Sequence, residues 1–109
     1  MIQVTETEWS QTEKTIARQA FDNAYEREIR TLIKDVQQQA SRITSLDNLW
    51  LLHDFLSARR HEIDGKYDYR YSSLVFVFAS LVKEGWLHMD ELEGLNPDKR
   101  SKIIALSRM

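Results

Sequence analysis

From Ile16 to Ile43 the apolar residues return at three- and four-residue steps: Ile16, Ala17, Ala20, Phe21, Ala24, Tyr25, Ile29, Leu32, Ile33, Val36, Ala40 and Ile43. That spacing lays one stripe along a helix, and no glycine or proline breaks it. Ser10-Gln11-Thr12-Glu13 reads as the capping box that starts it, each side chain satisfying an amide the first turn leaves unpaired. A helix of about 30 residues extends about 45 Å. A compact domain of about 100 residues has a radius of gyration of only about 13 Å. The chain has 109 residues, too few to cover such a stripe along its whole length. Self-association, most simply a twofold dimer, is the economical way to bury it.

The rest of the chain divides by punctuation. Thr44-Ser45-Leu46-Asp47 reads as a second capping box. Leu46, Leu49, Trp50, His53, Leu56, Arg60 and Ile63 follow at helical spacing, widened by Leu52 and Phe55, until Asp64-Gly65 signals a turn. Asp68 is placed to cap a third helix from about Tyr69 to Glu84, closed by Gly85. The run Leu74-Val75-Phe76-Val77-Phe78 has strand composition, but no second strand candidate exists to pair with it, so it reads as a buried helix. Phe76 and Phe78 stand about 200° apart on it, so one is expected inside and the other outside. Asp90 to Glu93 reads as one short turn, and Asn96-Pro97-Asp98 as a helix start with proline at the first position. The expectation is a single all-α domain over residues 1–109. A long helical hairpin stem (about 10–64) carries a small three-helix head (about 68–109) and dimerises through the stem.

Composition narrows the function. The absence of cysteine rules out disulfides, thiolate metal sites and a cysteine nucleophile. Three glycines and one proline are too few for a turn-rich sandwich or barrel. Fifteen basic residues stand against seventeen acidic ones, a net charge of -2, whereas nucleic-acid-binding domains are ordinarily strongly basic. Met1 to Glu8 lacks the basic start and apolar run of a signal peptide. The run Leu74 to Val82 is about half the ~20 residues needed to span a bilayer. A cytoplasmic protein without membrane insertion is expected.

The histidine–carboxylate pairs are His53-Asp54 and His61-Glu62. Adjacent His-Asp occurs in metal-dependent phosphohydrolases, but such sites draw further ligands from other helices, and the remaining His88 falls in a loop. In His61-Glu62-Ile63-Asp64-Gly65 a glycine stands where the zinc-protease motif needs histidine. Asp64-Gly65-Lys66-Tyr67-Asp68 has its glycine misplaced for a calcium loop. No metal or cofactor is expected, and an enzyme is not. The same residues fit an interface better. Trp50 and Asp54 are four apart, within reach of an indole-to-carboxylate hydrogen bond. Asp54 and Arg60 lie roughly 240° apart on one helix, so each needs a partner elsewhere. Two copies crossing antiparallel near Ser57 bring Asp54 to the partner subunit's Arg60 and His53 to the partner subunit's His61. The basic clusters are Arg59-Arg60-His61 and Lys99-Arg100-Ser101-Lys102, and Asp98 to Met109 has four basic residues against one acid, a net +3. A small DNA-binding helical dimer is the first alternative, although no helix-turn-helix pattern stands out, and a His-Asp metal-dependent phosphohydrolase is the second. The polar face Glu26-Arg27-Glu28 with Arg30 reads as solvated.

The segment Leu49 to Asp68, LWLLHDFLSARRHEIDGKYD, resembles the fluorescence recovery protein family of cyanobacteria. The likeness runs along essentially the whole chain, including Trp9-Ser10-Gln11, Phe76-Val77-Phe78-Ala79 and Ser101-Lys102-Ile103. The resemblance implies an all-helical dimer that binds the light-activated red form of orange carotenoid protein, mainly through its C-terminal domain. It implies faster return to the orange form, detachment from the phycobilisome near the thylakoid, and recovered antenna fluorescence. By the same resemblance Trp50, His53, Asp54 and Arg60 serve dimerisation and activity, and Phe76 and Lys102 contact the partner. The chain departs from the family pattern at surface-like positions, including Trp86.

Overall fold

The computed structural model describes residues 8–109; the stretch 1–7, most of the N-terminal segment read above, lies outside them. The described residues fold into helices: α1 (Gln11–Ser41), α2 (Leu46–Lys66), α3 (Leu74–Glu84), a 3-10 turn (Met89–Leu92) and α4 (Pro97–Ser107). The architecture is all-α, with no strand among the described residues. At 31 residues α1 is the long helix the stripe predicts. The molecule measures 62 × 23 × 22 Å with a radius of gyration of 17.1 Å, well above the ~13 Å of a compact chain of this size.

One core holds one end of the molecule. It gathers Trp9, Ala17, Ala20, Phe21 and Ala24 with Leu74, Val75, Val77, Phe78, Ala79 and Leu81, and closes with Leu87, Leu92, Leu95 and Ile103. The first half of α1 is thus part of the head's core, whereas the sequence pattern alone assigns all of α1 to the stem. Beyond Glu28, α1 runs on as one arm of the stem. Its half-buried positions Ile29, Leu32, Val36 and Gln39 face those of α2, Asn48, Leu52, Phe55 and Arg59. Two helices side by side leave their outer faces wet. On α2 only Ile63 is buried.

Local chemistry explains the boundaries. Ser10 Oγ accepts from the Glu13 amide at 3.1 Å and Glu13 returns the bond at 3.0 Å, as the capping box requires. At α2 the cap sits one residue later than expected. Ser45 accepts from the Asn48 amide at 3.2 Å, and Asn48, not Asp47, reaches back, to Thr44. Asp64-Gly65 does not end α2: the helix runs through to Lys66, whose ammonium is held by Glu28 and Glu84. Nor does Asp68 cap α3, because its carboxylate is taken by the Arg70 guanidinium at 2.8 Å. Residues 67–70 are not helical. Tyr67, Tyr69 and Tyr71 alternate against the core, with Tyr67 and Tyr69 edge-on to Phe21 at 5.4 and 4.8 Å. α3 therefore starts only at Leu74, after Ser73. Gly85 at φ 87 ends it as expected, and Asn96 with Pro97 opens α4.

Candidate functional site

Two outward surfaces carry the residues singled out in the sequence. The first lies on α2. Leu46, Leu49, Trp50, His53, Leu56, Ser57 and Arg60 share the face turned away from α1, and all are exposed. Trp50 is 54% accessible and Leu46 63%, too much apolar area for a helix face that normally stays wet. Leu49, Trp50, Leu52, His53 and Leu56 line a shallow groove of about 320 Å³ on it.

Within that face Trp50 meets His53 edge to face at 6.1 Å, and His53 Nδ1 lies 3.4 Å from Asp54. The expected Trp50–Asp54 hydrogen bond is not formed; the indole turns along the helix onto the imidazole instead. Arg60 approaches Asp64 only loosely, at 3.7 Å, with both side chains open to water. Such an exposed i,i+4 pair holds neither group firmly. Among the described residues no three of His, Cys, Asp or Glu gather as they would around a metal ion.

The second surface lies on the head. Phe78 is fully buried while Phe76 is 59% accessible, the division predicted by their spacing. α3 is otherwise a core helix, so Phe76 is a large apolar side chain held outward on a rigid support. Lys102 is exposed on α4, which packs against α3. Lys99, counted with it in the basic cluster, is not on that surface. It is 3% accessible and donates to both Glu13 oxygens at 3.0 and 3.1 Å and to the Glu8 carbonyl at 2.6 Å. Its ammonium also lies 4.4 Å from the Trp9 ring centre.

The most buried charge is one the sequence pattern hides. Glu28, read above as solvated, is 1% accessible. It accepts from Arg59 at 2.8 Å, Lys66 at 2.8 Å and the Tyr67 hydroxyl at 2.7 Å. Burial works to raise its pKa, but Lys66, Tyr67 and Arg59 outweigh it and hold the carboxyl below the usual range. Burial and the adjacent Glu28 charge push the Tyr67 phenol far up. Arg27, also read as solvated, bonds Glu91 at 2.7 and 2.9 Å and the Trp86 carbonyl at 3.0 Å. Trp86 is accordingly half-buried against the core. Glutamates at 26 and 28 look alike in sequence. Only the 3.6-residue phase of the buried stripe, Ala17, Ala20, Phe21, Ala24 and then position 28, distinguishes them.

Residues 9–107 match the family model described as "Photoprotection regulator fluorescence recovery protein". The fluorescence recovery protein of Synechocystis sp. is 56% identical over 109 residues, covering all of both chains. The solved structure of the Fremyella diplosiphon fluorescence recovery protein is 62% identical with a TM-score of 0.91, over 94% of this chain and 100% of that one. That of the Synechocystis protein is 57% identical with a TM-score of 0.90, at the same coverage, and its R60K mutant keeps the fold, with a TM-score of 0.90. No helix of the described residues is long and apolar enough to cross a membrane. The chain belongs to the fluorescence recovery protein family of photoprotection regulators.

Proposed function

We propose that this chain binds the red, light-activated form of orange carotenoid protein, mainly at its C-terminal domain. Binding speeds reversion to the orange form and detachment from the phycobilisome, in the cytoplasm beside the thylakoid. The observation that carries the reading is the outward Phe76 on an otherwise buried α3, in a chain matched from end to end by its family. Exposed aromatic side chains are common anchors at the energetic centre of a protein interface; in this proposal Phe76 of α3 takes an apolar spot and Lys102 of α4 an acidic one. No bond is made or broken by this chain. It accelerates an interconversion by holding the transition state more tightly than the starting state. Equal affinity for the red and orange forms would leave their equilibrium unmoved. The carotenoid and the light reaction belong to the partner.

The working form in this proposal is a homodimer through the outer face of α2. Trp50, His53, Asp54 and Arg60 supply its register, with Asp54 facing the partner subunit's Arg60. A charge-assisted Arg–carboxylate pair repeated by symmetry suits that task. The loose Arg60–Asp64 approach leaves the guanidinium available for it. The fold persisting in the Synechocystis R60K mutant suits a residue that works between molecules. The DNA-binding alternative loses ground, because burial of Lys99 removes a cation from the basic end of the chain. Size-exclusion co-migration tests the contact. Wild-type protein is expected to co-elute with the isolated C-terminal domain of orange carotenoid protein, and Phe76→Ser to elute apart from it. Equal co-elution of both would place the contact elsewhere.

A further inference from the structure

Arg59 and Lys66 are seven residues apart on α2, two helical turns on the same face, yet both reach one carboxylate of α1. Arg59 and Lys66 both donate to Glu28 Oε2 at 2.8 Å, Lys66 also lies 2.7 Å from Oε1, and the carboxylate they share is sealed from solvent. A single contact between two helices leaves each free to roll. Two contacts two turns apart on one buried point fix both rotation and axial register. We infer that Glu28 is a positioning residue whose buried carboxylate locks the roll of α2 on α1 and so decides which α2 residues face outward.

The lock is tied to the head as well. Lys66 continues to Glu84 at the end of α3, at 2.6 Å, and Glu84 accepts from the Trp86 indole at 3.2 Å. Tyr67, which opens the segment crossing from α2 to α3, donates its hydroxyl to Glu28 at 2.7 Å. A buried ionic cluster is a poor source of stability compared with apolar packing, and its best-attested use is to select one arrangement among several. The outer cations here are also doubly partnered, Arg59 by Glu62 and Lys66 by Glu84. Loss of the central charge therefore leaves neither cation alone, and the helices survive without their fixed roll. The consequence for dimer register and partner contact rests on the function proposed above; the lock itself does not.

The chain has no cysteine, so nitroxide labels at Ala58→Cys on α2 and Ser80→Cys on α3 report the angle directly. Both sites are exposed. Doubly labelled chain diluted into unlabelled protein gives the distance distribution within one subunit. A roll of one residue step, about 100°, moves a label by about 8 Å. Glu28→Gln is expected to shift or broaden the distribution by that order while helix content by circular dichroism stays unchanged. A folded Glu28→Gln with the unaltered distribution overturns the inference. Should Glu28→Gln not fold, Arg59→Met and Lys66→Met decide it, since each removes one arm and keeps the carboxylate. A shift in either supports the lock, and the parental distribution in both overturns it. None of these readings needs the carotenoid protein, so failure of the proposed function and failure of the lock are told apart.

Discussion

At the scale of single residues, glutamates do unequal work in this chain. Glu13 caps α1 through Ser10, accepts the Asn96 amide at 2.8 Å and neutralises Lys99. It thereby ties the start of the first helix to the start of the last. Lys99 is nearly sealed from solvent, so Lys99→Met leaves the Glu13 carboxylate its two backbone amides but no counter-charge. Breaking a buried pair in this way costs about 3–5 kcal/mol, to be read as a lowered urea midpoint. Phe76→Ser is the opposite case. An exposed side chain outside the core shifts stability by no more than about 0.5 kcal/mol, so thermal melting should be unmoved while red-to-orange acceleration is lost. A matching loss of melting temperature would make Phe76 a structural residue instead.

The same glutamates fix the response to acid. An ordinary glutamate titrates near 4.5. Burial opposes it, but Ser10, Asn96 and Lys99 hold Glu13 lower; Lys66, Tyr67 and Arg59 do so for Glu28. Arg27, foremost, does the same for Glu91. As pH falls the unfolded chain takes up protons first, so unfolding gains. The stabilisation is complete above the ordinary value and disappears as pH falls through the lowered ones. Urea midpoints should be level near neutrality and decline below about pH 4.5, and Glu28→Gln should flatten part of that decline. A midpoint unchanged down to pH 3 would contradict the ion-pair geometry.

At the scale of elements, starts and stops set by one side chain were legible, and those set by tertiary contact were not. Ser10–Glu13, Gly85 and Asn96-Pro97 act locally, and each marks its helix end where expected. Gly65 carries the same turn signal, yet its helix continues because distant Glu28 and Glu84 hold Lys66. Tyr67 to Tyr71 resemble a helix start, but packing of the three tyrosines against Phe21, Trp9 and one another keeps the chain out of the helix until Leu74. The candidate site divides in the same way. That Phe76 and Phe78 divide between inside and outside, and that Trp50, His53 and Arg60 share one face of α2, follow from periodicity. Which phenylalanine is buried, which face of α2 stays wet and the Glu28 cluster all depend on which helix lies opposite. Gly94, at φ 103, is held by both kinds of constraint, since a Cβ there meets Ile16 at 2.5 Å. Gly94→Ala should cost more than Gly85→Ala, which meets no neighbour and bears only the left-handed penalty of about 1 kcal/mol. Comparison of the two urea midpoints checks the order.

At the scale of the whole molecule, one end is a closed core and the other a bare two-helix arm 62 Å from tip to tip of the particle. The arm leaves the α2 face of Leu46, Leu49, Trp50 and Leu56 exposed, and in the proposed dimer a second copy covers it. Coupling between Asp54 and Arg60 in a double-mutant cycle for dimer dissociation is expected, and strict additivity would remove the proposed crossing. The head holds Phe76 outward on the otherwise buried α3. The central claim, that this chain drives the carotenoid protein back to its resting form, is tested by timing. Photoconverted red orange carotenoid protein is mixed with this protein in the dark and its red absorbance followed. The decay is expected to quicken in proportion to added protein until the partner is saturated. A lifetime identical with and without the protein would contradict it.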